Sequence, residues 1–477
     1  MSDTRGGKQI TRRGILRMMG LGVGLATITP VLQACASQPT PAPTAAPAKP
    51  AEQKPAAAQP TQPAAQPAAS GKEVKLIWTG WNVVDQFAPE VAKFKEENPG
   101  INVEYVALPD YKKQTTMLAA GEQDDVINTR DDDLAGYVDA GFIQPLDMAW
   151  PGLKEVDQDT YPGNLEAMSY KGKRYGLSYY TDFHTLMYNE SLLKKGGFEK
   201  PPADLDELKA QAVTLKQKGV AEFPIRLWLQ QEANFKEPLY AFMYASGGRF
   251  LDDDLNGIPD NPTLISLLEW FIDGFQNTKI LDLSNLTMTD EDSVGLFMDG
   301  KSVYHGTNRY DLRKLNDPKQ SKIAVEGQRV ARMMIMPGLK EPKGTVSWTR
   351  SITVNAKTKY LDEARKLQFF AGAKNKDGIY WTAKDLHARF GLGFVYKSLA
   401  TDPDIVKGEQ TWGDPPLFAK QKETARPREG TQLAWYSEWD NAMTAEWHKA
   451  FLKQITPKEA SANIAKKWND LKKQYGG

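Results

Sequence analysis

The sequence predicts an α/β fold in which strands and helices alternate and the helices pack outside a parallel sheet. The first sign is a switching apolar pattern from Glu73 onward. Val74-Lys75-Leu76-Ile77-Trp78 reads as a strand, and Phe87, Val91 and Phe94 share a helix face that Pro99-Gly100 ends. Ile101, Val103, Tyr105 and Ala107 then alternate as a second strand, Tyr111 to Ala120 reads as a helix, and Val126-Ile127 opens a third strand. The second sign is length: 477 residues suffice for two domains with cores of their own. In such sheets ligands bind beyond the carboxyl ends of the strands. Those ends carry Thr79, Trp81 and Asn82 after the first strand, and Asp131 to Asp133 after the third.

Composition removes several classes of function. Lys and Arg number 60 against 60 Asp and Glu, so no basic excess exists for nucleic acid to bind. The chain has one cysteine, Cys35, which leaves no thiol for disulfides, zinc or nucleophilic catalysis once that residue is assigned. The four histidines, His184, His305, His387 and His448, are isolated, and neither a phosphate-cradling glycine loop nor a G-x-S-x-G elbow is present.

In chain order, the basic residues Lys8, Arg12, Arg13 and Arg17 lead into an apolar run from Met18 to Leu32, and small residues flank Cys35: the layout of a secretory signal. The run is too short and glycine-rich for a membrane span. Thr11-Arg12-Arg13-Gly14-Ile15-Leu16-Arg17 resembles the twin-arginine export motif, and Leu32-Gln33-Ala34-Cys35 resembles the bacterial lipobox, with Gln33 where a small residue is usual. A signal over 1–35 ending in a lipidated Cys35 is therefore expected, placing the protein on the outer face of the cell membrane. Residues 36–71 are Pro, Ala, Gln and Thr with almost nothing large and apolar, a stretch that cannot bury enough surface to fold. It reads as an extended tether, rising about 3.1 Å per residue where polyproline II forms.

Beyond the third strand, Tyr175 to Tyr180 and Thr185 to Tyr188 read as strands, with Asp182 and His184 between them. Asp204 and Glu207 form a capping box for a helix carrying Leu205, Leu208, Ala212 and Leu215. Phe223 to Leu229, containing Trp228, reads as a strand, and Phe235 to Ser246 as a helix. Asp252, Asp254, Asn256 and Asp260 stand at the first, third, fifth and ninth places of a calcium-type loop around Gly257, with Thr263 where a bidentate Glu belongs. A structural calcium ion is the expectation, an ordinary polar hairpin the alternative. A helix capped by Asn261 with Pro262 in its first turn follows. Phe297 to Tyr304 turns from helix into strand, exiting through the polar stretch His305 to Arg309. Arg332 to Met336 and Ile352 to Val354 are strands, Leu361 to Ala371 and Gly378 to Phe390 are helices, and the end is helical, with Trp439, Met443, Trp447 and Phe451 on one face and Ile464, Trp468 and Leu471 on another.

The stretch WTGWNVVDQFAPEVAKFKEENPGINVEYVALPDYKKQTTMLAAGEQDDVI followed by LAGYVDAGFIQPLD resembles the amino-terminal half of the family 1 extracellular solute-binding proteins, the receptor subunits of ABC importers for sugars. GKRYGLSYYTDFHTLMYNESLLKKGG, PPADLDELKAQAVTLKQKG, LFMDGKSVYHG and DEARKLQFFAG keep step with that family in order, so the resemblance runs from Glu73 to Tyr475. It implies a two-lobed periplasmic-binding-protein-like fold of type II, each lobe a sheet flanked by helices, with crossovers between lobes and a cleft that closes on ligand. The first lobe is expected over 72–180 and 330–375, the second over 181–329 and 376–477. The implied partners are a small solute, a sugar or polyol, and the permease subunits of an ABC importer; the implied form is a monomer without an obligatory cofactor.

A sugar presents an apolar C–H face and a rim of hydroxyls, so its site needs flat aromatic rings plus carboxylates, amides or Arg. Trp270, Trp381, Trp439, Trp447 and Trp468 fall inside helical patterns and read as packing. Trp81, Trp228, Trp348, Trp412 and Trp435 fall at strand ends or in loops and are the stacking candidates, with Tyr180 behind them. The polar candidates are Asp131, Asp132, Asp182, Asn308 and Arg350. Two other readings share the anchor and tether. A glycoside hydrolase would need two carboxylates about 5 to 9.5 Å apart, and an adhesin would show no closure on small ligands.

Overall fold

The computed structural model describes residues 73–476 apart from 82–83, 109–110, 123 and 232–235. The export signal and anchor expected at Cys35, and the tether expected over 36–71, lie outside the described residues. The strands are β1 (Val74–Trp81), β2 (Ile101–Leu108), β3 (Val126–Arg130), the small pair β4 (Ser169–Tyr170) and β5 (Lys173–Arg174), β6 (Leu177–Asn189), β7 (Ile225–Arg226), β8 (Tyr304–Asn308), β9 (Ala331–Met334), β10 (Thr345–Val354) and β11 (Ala425–Arg426). The main sheet has nine strands, seven of them in the order β2-β1-β3-β10-β6-β8-β7. β1 pairs in parallel with β2 and β3, as the alternation predicts, with the Ala88–Glu97 and Tyr111–Ala120 helices as crossovers.

Two long strands join the halves of this sheet. β6 pairs with β10 as far as Phe183, then changes partners, meeting β8 from His184 and β9 from Leu186. β10 in turn pairs with β3 from Arg350 to Val354 and with β6 from Ser347 to Ile352. The chain therefore passes from the β10 side to the β8 side of the sheet at residues 183 and 184. A register shift between Arg350 and Ser351 leaves Tyr179 unmatched on β6, a bulge that raises local twist where the lobes diverge. The sequence divides 177–189 into two strands because Thr181-Asp182-Phe183-His184 breaks the apolar run. Backbone pairing on both sides keeps it one strand, and the polar side chains find buried partners.

Each half has its own core. Leu76, Trp78, Phe94, Val126, Trp348, Ile352 and Phe370 pack together in the first lobe. Leu186, Leu208, Leu239, Phe271 and Tyr304 pack in the second, joined by Trp439, Met443, Trp447, Phe451, Ile464, Trp468 and Leu471 of the Tyr436–Phe451 and Pro457–Tyr475 helices. Both terminal apolar faces are thus buried, as their periodicity predicts. Three boundaries differ. Leu386 and Leu392 pack with Trp348 and Phe370, so the stretch after 376 begins in the first lobe, and only the later helices belong to the second. β9 pairs with the second-lobe half of β6, so β10 is the strand that returns. His305 to Asn308 form β8 itself rather than a loop.

Local signals explain several element starts. Thr456 and Glu459 make a reciprocal capping box, and Asn261 accepts from Leu264 N ahead of Pro262. At Asp204 the box is half formed: Asp204 accepts from Glu207 N at 2.8 Å, but Glu207 reaches Ala203 N instead of the cap's own amide.

Candidate functional site

β3 ends at Arg130 opposite Arg350 of β10, and β8 ends at Asn308 opposite His184 of β6, so a strand exit from each lobe meets the crossing strands, the kind of place where an α/β sheet binds ligands. Trp81 is the last residue of β1. From the crossing strands come Tyr180 and Trp348, both buried, with Trp348 Nε1 donating to the Tyr180 hydroxyl at 2.7 Å. The Arg350 guanidinium lies 6.0 Å from the Trp348 ring centroid, and Tyr180 meets Tyr310 of the second lobe edge to face at 6.4 Å. Aromatic and cationic groups are therefore gathered at the point where the lobes meet.

β3 ends at Arg130, and Asp131 to Asp133 follow. Asp131 Oδ2 accepts from Thr349 N at 2.9 Å, and its Oδ1 lies 3.4 Å from Arg350. Asp132 is held by Arg130 on its own loop. Both carboxylates also reach Arg428, at 3.5 and 3.0 Å, while the same guanidinium lies 3.1 Å from Glu237 of the Lys236–Ala245 helix. Arg428 thus ties the first-lobe wall to the second. Burial alone would lower its pKa, but Asp132, Tyr436, Glu237 and Asp131 together hold it well above the usual arginine value. Sequence reasoning missed both Arg428 and Glu237. Ala425-Arg426-Pro427-Arg428-Glu429-Gly430 has no periodicity to single one residue out, and Glu237 looks like an ordinary first-turn acid of a helix.

On the second-lobe wall, Asn308 closes β8 and donates through Nδ2 to the Tyr310 hydroxyl at 2.8 Å. Trp228 follows β7 and is buried, its ring centroid 5.6 Å from that of His184 and roughly perpendicular to it. Burial pushes the pKa of His184 down to about 3, with His305 lowering it further and Asn308 and Asp311 raising it, so the ring is neutral.

Three expected residues serve architecture instead. Asp182 accepts two bonds from Arg309, at 2.9 and 3.0 Å, and one from Gly393 N at 2.9 Å, so it clamps the crossing rather than facing a ligand. Trp412 packs with Phe183, Leu312 and Phe418, its ring 5.7 Å from the Arg309 guanidinium. Trp435 packs against Trp468 at 4.6 Å and donates to the Gly476 carbonyl. Their positions outside regular strands made them look free, but tertiary contacts cover them.

The expected calcium loop is arranged differently. Asp252 accepts backbone bonds from Asp254 and Asn256, Asp260 lies 3.5 Å from Lys458, and Lys472 Nζ donates to the Asp254 carbonyl at 2.6 Å and to Asn256 Oδ1 at 3.0 Å. An ammonium of the last helix takes Asn256 Oδ1, one of the oxygens a loop cation would use, and among the described residues no cluster of three acidic, His or Cys side chains is placed to hold a metal. The donor set therefore does not fit calcium. Gly257 is required for another reason than a sharp turn: a Cβ there would stand 2.7 Å from the Ala465 backbone.

Comparison with known proteins agrees with this geometry. The family model described as bacterial extracellular solute-binding protein matches residues 91–390. A binding protein of Brucella abortus strain 2308 is 32% identical over 178 residues, a match that takes in 35% of this chain and 40% of that relative. Among solved structures, maltose-bound MalE3 of T. maritima superposes with a TM-score of 0.74 at 21% identity, covering 83% of this chain and 100% of that one. An ABC transporter solute-binding protein of Agrobacterium radiobacter K84 in complex with ribitol gives 0.71 at 18% identity, covering 83% and 98%. At these identities the structural likeness establishes the two-lobed fold.

Proposed function

The chain belongs to the bacterial extracellular solute-binding proteins, a family of binding proteins rather than enzymes, and from that premise we propose that it is a receptor for a sugar or polyol which it delivers to an ABC import permease. The observation that carries this is the hydrogen-bonded Trp348–Tyr180 pair beside the Asp131, Arg350 and Arg428 network where the lobes meet. Rings offer a face for C–H groups, and the carboxylates and guanidinia are suited to a hydroxyl rim. β6 and β10 are the hinge, and ligand drives closure only through contacts that are better in the closed form. The signal-like segment and Cys35 support export and a lipid anchor, with 36–71 as the tether.

Calorimetry of the purified chain with a panel of mono- and oligosaccharides and alditols is the direct test. Saturable binding with recovery of unaltered ligand is expected; new reducing ends would favour the hydrolase reading, and no binding across the panel would end the proposal. Mass spectrometry of protein from membranes tests the anchor, which requires a fatty-acylated Cys35 terminus.

A further inference from the structure

The second-lobe wall of the cleft holds three polar side chains with buried atoms that lack a hydrogen-bond partner, Asn308 being satisfied on its Nδ2 side only. Trp228 Nε1, both ring nitrogens of His184 and Asn308 Oδ1 are buried and none makes a hydrogen bond of good geometry among the described residues, although Asn308 lies near enough to His184 to raise its pKa. Trp228 is 4% exposed, His184 0% and Asn308 7%, so water does not substitute freely at these atoms. Buried polar groups are rarely left in this condition, because each loses its hydration without recovering a bond. His184 and Asn308 are directly opposed on β6 and β8, and the Trp228 ring stands edge to face against His184, so the atoms form one cluster at the carboxyl ends of β7 and β8.

We infer that Trp228, His184 and Asn308 form an uncharged pocket that reads hydroxyl groups and selects a neutral sugar or alditol over a phosphorylated or carboxylated one. This rests on the receptor reading above and specifies its ligand class. The chemistry of the three groups is complementary to a hydroxyl: the indole N–H donates only, the amide oxygen accepts only, and a neutral imidazole does one of each. None carries a formal charge to meet an anion.

The guanidinium groups nearby are already committed, and Lys422 beside Arg309 is turned onto the Phe394 carbonyl. Arg428 is paired with Asp131, Asp132 and Glu237, Arg309 with Asp182 and Glu409, and Arg350 with Asp131. A phosphate or carboxylate entering the cleft must take a guanidinium from a buried carboxylate partner, whereas a hydroxyl finds unmet donors and acceptors.

The test is calorimetry on the whole folded chain with matched pairs: glucose against glucose 6-phosphate and glucuronate, maltose against its phosphorylated form, and mannitol and ribitol against their phosphates. At least tenfold preference for the neutral member is expected, and Trp228→Phe, which keeps the ring and removes the donor, is expected to weaken that ligand by about five- to tenfold. His184→Phe should do the same, with circular dichroism and melting temperature showing whether each variant is folded. Equal or tighter binding of the anionic member overturns the inference and leaves the receptor reading intact. So does unchanged affinity in a folded Trp228→Phe protein. Absence of binding by every compound sinks the receptor reading, and the inference falls with it.

Discussion

Residue by residue, the lobe junction mixes groups paired with one another and buried polar atoms that lack a hydrogen-bond partner among the described residues. Trp348 has its indole N–H bonded to Tyr180, which fixes the ring plane before any ligand arrives. Trp348→Ala is expected to weaken sugar binding at least tenfold by calorimetry, and Trp81→Ala at the end of β1 should also weaken it; unchanged affinity in both would place the ligand on another wall. Arg428 is the opposite case. Replacing it by Met leaves Asp131, Asp132 and Glu237 around an uncompensated site, and losing one partner of a buried ion pair typically costs about 3–5 kcal/mol. Denaturant melts of Arg428→Met should therefore show a large loss, while a change under about 1 kcal/mol would mean that the network is not the tie between lobes. Acid stability has a definite sign. Burial lowers His184 and His305 to about 3 and His387 to about 4, all below the unfolded value of 6.5. The unfolded chain then binds more protons between those limits. Their contribution is fully present above pH 6.5 and is lost as pH falls toward 3 to 4. Because buried carboxyl groups such as Glu90, raised by desolvation, act in the other sense, the measurement is a difference. Folded His387→Gln should gain stability relative to wild type as pH drops from 7 to 4.5, and a constant difference would contradict the buried neutral ring.

At the scale of elements, the crossing strands and the terminal helices explain most of what the chain must conserve physically to work. Gly393 approaches β6 so closely that a Cβ would lie 2.1 Å from the Thr181 carbonyl, and its N–H serves Asp182 beside the hinge. Gly393→Ala should destabilise by about 1–3 kcal/mol and disturb closure, read as a lower melting temperature with weaker binding; a neutral result would show that the hinge yields more easily than its packing implies. The Pro457–Tyr475 helix carries Lys472 into the 252–257 loop, where it takes the place assigned to calcium from spacing alone. Lys472→Met should lower the melting temperature, and millimolar calcium should leave that of the wild type unchanged. A calcium-dependent rise abolished by Asp254→Ala would restore the metal.

For the whole molecule, two continuous strands and ties such as Arg428 join both walls, so in the proposed receptor a change at either wall is expected to alter lobe geometry and affinity together. The alternation of strand and helix from Val74 to Ile127, the buried faces of Trp439 and Trp468, and the placing of Asp131 and Asp132 at the exit of β3 were all legible in the sequence. Each follows from local periodicity, from a turn signal, or from the rule that ligands sit at strand exits. The division of the tryptophans was not. Trp412 and Trp435 lie outside helical patterns yet are packed by distant segments, while Trp228 and Trp348 are buried beside His184 and Tyr180 at the lobe junction. Asp182 looked available until Arg309, 127 residues away, claimed it. Arg428 and Lys472 were invisible for the same reason: an ion pair is set by distance in space, which spacing along the chain does not encode. Most elements and their order follow from near-neighbour chemistry and are written in the chain; the continuity of β6 and the strand at His305 to Asn308 are not, because backbone pairing with distant segments makes them. Which polar groups are paired and which stay without a partner follows from burial and long-range hydrogen bonding, which exist only once the two lobes are assembled.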